Sequence, residues 1–113
     1  ELLENDEGRD YILPLLRDQL AFQNKKIDFG YECFDGTDIP EEMISVYQIK
    51  NNSQIILSSD GYPQLFTTLK ESENYLFTVL REDPLLYKKY KSTKGFMRGQ
   101  NSFDDRAYIS FFN

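Results

Sequence analysis

The chain has 113 residues, 40% of them hydrophobic and 15% aromatic, which suits one domain with a single modest core. Nineteen Asp and Glu against thirteen Lys and Arg leave a net charge of −6 and argue against a general nucleic-acid or anionic-membrane surface. With no histidine and one cysteine, His-based triads, His-ligated zinc and an internal disulfide are all excluded.

The chain opens on an acidic stretch at Glu1 rather than on Met, so it reads as a segment of a longer protein. No apolar run approaches the ~20 residues of a membrane span, and no signal-peptide pattern is present; the expected compartment is the cytoplasm. From Asp10 to Asn24, the apolar residues Ile12, Leu15, Leu16 and Leu20 fall at helical spacing. Pro14 suits only the first turn, which places the start of that helix near Leu13. Asp28–Phe34 alternates Phe29, Tyr31 and Cys33 and reads as a strand closed by Asp35-Gly36, with Cys33 as a core filler. Ile44–Ile49 and Gln54–Ser59 are two further strands about the polar turn Lys50–Ser53, an antiparallel hairpin.

Pro63 to Leu69 fits a short helix, and Glu71–Arg81 a longer one with Tyr75, Leu76, Val79 and Leu80 on one face, capped around Lys70-Glu71-Ser72. Asp83-Pro84 resembles an N-cap followed by Pro at the first helical position, which predicts a helix over Leu85–Tyr90. Ser92–Phe103, with Gly95 and Gly99, reads as an irregular connection, and Arg106–Phe112 as a final strand. The predicted class is α+β, an antiparallel sheet with packed helices, in a single domain.

Chemistry without histidine falls to carboxylates, and two acidic spots stand apart. Asp60 follows an apolar strand directly and precedes Gly61, where backbone or ligand can approach closely. Asp104-Asp105 precedes the last strand. If those strands are neighbours, Asp60 and Asp104 face one point in space. Repulsion between such carboxylates falls when a hard divalent cation lies between them. Two such ions ~3.5–4 Å apart hold a hydroxide for attack on phosphorus. Each spot also has an ordinary reading, as a turn and as a solvated strand cap. The basic stretch Lys88-Lys89-Tyr90-Lys91, with Lys94 and Arg98, reads as a solvated helix end.

The run Ile55-Ile56-Leu57-Ser58-Ser59-Asp60-Gly61 resembles the strand and Asp-Gly motif of the metal-dependent Ser/Thr protein phosphatases of type 2C. Ser102-Phe103-Asp104-Asp105-Arg106-Ala107-Tyr108-Ile109 is similar to that family's closing motif, and the two stand in the family's order. The resemblance implies a sandwich of two antiparallel sheets with helices outside. It implies Mn²⁺ or Mg²⁺, two ions in the intact domain, held in part by Asp60 and Asp104 with Gly61 beside them. Asp105 and Arg106 would lie next to those ligands; from its own chemistry the Arg106 guanidinium suits a phosphate, the ordinary alternative being an exposed residue at the strand entry. The implied activity is hydrolysis of phosphoserine and phosphothreonine in a protein substrate by metal-activated water.

The family's first-half motif, Asp-Gly-His-Gly-Gly, and its phosphate-holding arginine have no counterpart here: Asp35-Gly36 is followed by Thr37-Asp38. The resemblance therefore covers the C-terminal half of such a domain, which alone would be inactive and would expose sheet surface prone to self-association. The alternative is a non-catalytic relative of the same fold that acts as a protein-interaction module.

Overall fold

The computed structural model describes residues 4–113 and has an α+β architecture: two α-helices, two short 3₁₀ helices and one two-stranded antiparallel sheet. The chain divides into two compact units. One comprises Lys50–Asn113 with the stretch that ends at Asp10, and the other is Tyr11–Ile49.

The first unit is built on helix α2, Leu69–Glu82. Its start is specified by Thr68, whose side chain accepts the Glu71 N–H at 3.2 Å while the Glu71 carboxylate accepts the Thr68 N–H, a reciprocal cap that satisfies two otherwise orphaned donors. Leu76, Val79 and Leu80 recur at helical spacing and are 0%, 1% and 3% exposed. They form the core with Tyr62, Leu86 and Phe103, and Tyr75, Tyr90, Phe96 and Tyr108 pack around it. Ser72 lies on the same face, and its hydroxyl is satisfied by the Thr68 carbonyl and the Phe66 N–H.

Strands β1 (Gln54–Ser58) and β2 (Tyr108–Phe112) pair antiparallel, with Gln54 opposite Phe112, Ile56 opposite Ser110 and Ser58 opposite Tyr108. Residues directly opposite share a face. Tyr108 turns its face of the sheet toward the core. The other face carries Ile55, Leu57, Ile109 and Phe111, and Leu57 and Ile109 are more than half exposed.

Several expected elements differ from those observed. The first helix, α1, runs Glu7–Asp18 with Pro14 inside it, followed by a 3₁₀ helix over Gln19–Phe22. Asp6 moves the start forward, because its carboxylate accepts the Arg9 N–H at 3.0 Å and its carbonyl the Asp10 N–H. No strand forms over residues 28–34, where a single parallel bridge joins Gln23 to Tyr31. The Asn24 side chain instead takes both backbone groups of Cys33, at 2.8 and 2.9 Å, and Asn24 itself adopts φ 49 to do so.

Residues 44–49 form no ladder, so the expected hairpin is absent. The Asn51–Asn52 turn is present, but the Asn52 N–H donates to the Asn113 carbonyl and extends the β1–β2 pairing. Pro63–Leu69 is not a helix, since Thr68 is extended as the cap of α2. Leu85–Tyr90 is a series of turns rather than a helix. Asp83, 2% exposed, draws the N–H groups of Tyr87, Lys88 and Lys89 inward, and Leu86 sits at φ 50. Among the described residues, no helix is long and apolar enough to cross a membrane.

Candidate functional site

The pairing of β1 with β2 decides where the acidic residues go. Beyond the last ladder pair, the Ser59 N–H donates to the Ala107 carbonyl at 3.1 Å. The Ser59 hydroxyl then accepts the Ala107 N–H and donates to the Asp105 carbonyl at 3.1 Å. This serine is a structural link between the two strand mouths.

The pairing also lays the Asp60–Gly61 turn on the Asp104–Asp105 loop. A Cβ on Gly61 would lie 2.2 Å from the Asp105 carbonyl oxygen and 3.0 Å from Arg106 Cγ, so only glycine allows this approach. Tyr62, next in the chain, is buried, and its ring meets Tyr108 edge to face with centroids 6.1 Å apart.

At this corner Asp60 is exposed, and its carbonyl accepts the Tyr90 hydroxyl at 3.4 Å. Asp104 is half-buried. Its Oδ1 accepts the Asp105 N–H at 3.0 Å and pairs with the Lys94 ammonium. That ammonium is the main reason the Asp104 carboxyl sits below its ordinary value of 3.8, against the opposing push of burial. Asp105 is exposed, and its part in the corner is its backbone.

Arg106 was expected to reach a phosphate. Its Nε instead pairs with Glu73 Oε1 at 3.2 Å, and its Nη1 donates to the Asn101 carbonyl. The Tyr62 hydroxyl donates to the same Glu73 oxygen at 2.5 Å. Burial, with the adjacent Glu73 charge, pushes the Tyr62 phenol above its ordinary value. Tyr62, Glu73, Asn101, Asp104, Asp105 and Arg106 line a polar pocket of about 380 Å³. A second, larger groove of about 510 Å³ runs from Lys94 along residues 99–105.

The structure therefore brings together the loops of Asp60, Gly61, Asp104, Asp105 and Arg106, all of which the sequence singled out. Lys94 and Glu73 occupy the same corner, and sequence reasoning had not placed either there. Each meets its partner across a separation that no local pattern encodes: ten residues from Lys94 to Asp104, and 33 from Glu73 to Arg106. Among the described residues, no group of three or more His, Cys, Asp or Glu side chains is placed to hold a metal ion.

No family model, curated protein or solved structure matches the chain.

Proposed function

We propose that this chain is the C-terminal half of a type 2C-like, metal-dependent protein phosphatase domain, and that the β1–β2 corner contributes Asp60 and Asp104 to its divalent-cation site. One observation carries the reading: the Asp60–Gly61 turn closes on the Asp105 backbone with no room for a Cβ.

Asp60 and Asp104 do not make a cation site by themselves, since among the described residues no group of three or more His, Cys, Asp or Glu side chains is placed to hold a metal ion; the reading requires ligands from outside this chain. Bound Mn²⁺ or Mg²⁺ would supply Lewis acidity toward a phosphate monoester and its attacking water. The residues of this chain orient that site. Ser59 ties the two strand mouths together, Gly61 sets their separation, and Glu73 holds the Arg106 guanidinium at the rim of the polar pocket. The exposed apolar face of Ile55, Leu57, Ile109 and Phe111 supports the reading too, as the surface on which the second sheet of a sandwich would pack. Uncovered, that face favours self-association.

One observation favours a second reading, the non-catalytic relative that acts as an interaction module. Asp104 already has a cationic partner in Lys94. The test is manganese-dependent hydrolysis of p-nitrophenyl phosphate by the intact domain. Asp60→Asn is expected to lower the rate at least about 100-fold, no less than the loss of a residue that merely supports a metal ligand. Undiminished hydrolysis by that variant would overturn the phosphatase reading.

A further inference from the structure

We propose that the loop of residues 24–37 is a docking site for an arginine-rich segment of another polypeptide, which meets the rings of Phe29 and Phe34 and the carboxylates of Asp28 and Glu32. The site lies wholly within residues 11–49 and stands apart from the reading of the β1–β2 corner.

Hydrogen bonds, not burial, hold this loop. None of its residues is buried. The Asn24 N–H donates to the Tyr31 carbonyl at 2.9 Å, and the Asn24 side chain reaches Cys33, Asp35 and the Thr37 hydroxyl. Asp35 Oδ1 accepts the Thr37 N–H and hydroxyl in turn. Between these ties the chain turns sharply, with the Ile27 N–H on the Lys25 carbonyl and the Gly30 N–H on the Ile27 carbonyl. A Cβ at Gly30 would fall 1.9 Å from the Lys25 carbonyl oxygen, so the turn requires glycine there. This framework displays two large rings in water: Phe29 is 89% exposed and Phe34 fully exposed. Each ring has roughly 200 Å² to bury, and this loop buries neither.

Charge selects the occupant. Residues 27–49 contain six carboxylates and no Lys or Arg. The two lysines just before them are engaged, Lys25 with the Ala21 carbonyl and Lys26 with Glu42. Among the described residues, Asp28 and Glu32, beside the two rings, make no ion pair. Nucleic acid and anionic lipid are repelled by such a surface, and so is a second copy of a chain with net charge −6. A guanidinium suits both parts of it, because its plane stacks on an aromatic face while its N–H fork engages a carboxylate.

Fluorescence anisotropy with a labelled nona-arginine peptide tests this on the 113-residue chain in about 0.15 M salt. A contact this small should give a dissociation constant on the order of 10 μM. Phe29→Asn with Phe34→Ser removes the rings and keeps every charge, and should weaken binding about tenfold or more. Asparagine tolerates the positive φ of 65 at position 29, and both rings are in water, so this variant should keep the wild-type urea midpoint. Asp28→Asn with Glu32→Gln should also weaken binding about tenfold. Glu7→Gln with Asp10→Asn removes two charges elsewhere and should stay within about twofold of wild type. Nona-lysine should bind at least about fivefold more weakly than nona-arginine. The proposal is overturned if the ring variant binds as wild type does, if the Glu7 and Asp10 variant loses as much as the Asp28 and Glu32 variant, if nona-lysine binds equally well, or if nothing binds into the millimolar range. An NMR titration of the unaltered chain gives a second reading. The ring signals of Phe29 and Phe34 should shift with added nona-arginine, and signals that stay still while the peptide binds would also overturn the proposal.

Discussion

Asp83 is 2% exposed, and its carboxylate accepts the N–H groups of Lys88 and Lys89 at 2.8 and 2.7 Å, with Tyr87 at 3.4 Å. Burial disfavours its charge and pushes the carboxyl up. The converging N–H groups outweigh that push and bring it below the ordinary value of 3.8. A carboxyl lowered in the folded state stabilises the fold above its unfolded value, and that stabilisation disappears as pH falls below about 4. Asp83→Asn should therefore unfold at a lower urea concentration than wild type at neutral pH. The gap between the two should narrow as pH is taken from about 5 toward 3. Urea midpoints measured across that range check this, and a gap constant with pH would show that the charge of Asp83 contributes nothing.

At the scale of elements, α2 carries the core and its cap determines where it starts. Thr68→Ala removes the acceptor for the Glu71 N–H and the hydroxyl that donates to the Glu71 carboxylate, while the backbone N–H at position 68 still donates to that carboxylate, a loss of about 1 kcal/mol. Urea unfolding should report it as a lower midpoint with an unchanged slope, whereas Lys70→Ala, outside the cap, should leave the midpoint in place.

This helix also shows what the amino-acid order made legible. Leu76, Val79 and Leu80 announced their buried face through period alone, and the Thr68–Glu71 spacing that begins the helix was present too, although the expected cap lay at Lys70-Glu71-Ser72. β1 and β2 were legible from apolar and aromatic density, and their neighbourhood was the condition on which the acidic corner depended. Ile44–Ile49 alternates in the manner of a strand, yet no ladder forms there. Period identifies a strand face, whereas a partner is chosen by tertiary packing. The knot that Asn24 ties on Cys33, the N–H groups gathered by Asp83 and the pairing of Lys94 with Asp104 stayed invisible, because each joins a side chain to a group several residues away through no repeating pattern.

At the scale of the whole chain, burial is distributed very unevenly. Among the described residues, every buried side chain belongs to the unit built on Lys50–Asn113, from Tyr62 to Phe103. Residues 11–49 contain none. What order they have comes from the part of α1 that runs to Asp18, from local hydrogen bonds such as those of Asn24 and from the 3₁₀ helices Gln19–Phe22 and Glu41–Met43. Local opening is least costly where few apolar contacts must be broken and the backbone hydrogen bonds already face solvent. Amide hydrogen exchange on the intact chain should accordingly separate the two units. The α2 amides of Leu76, Val79 and Leu80 and the amide of Phe103 should exchange only through global unfolding, with protection that falls in proportion to added urea. Amides of residues 19–49 should exchange through opening that urea barely accelerates, well before the core does. Equal protection across both stretches, with one shared urea dependence, would mean that a single cooperative unit unfolds and that residues 11–49 take their stability from something other than burial.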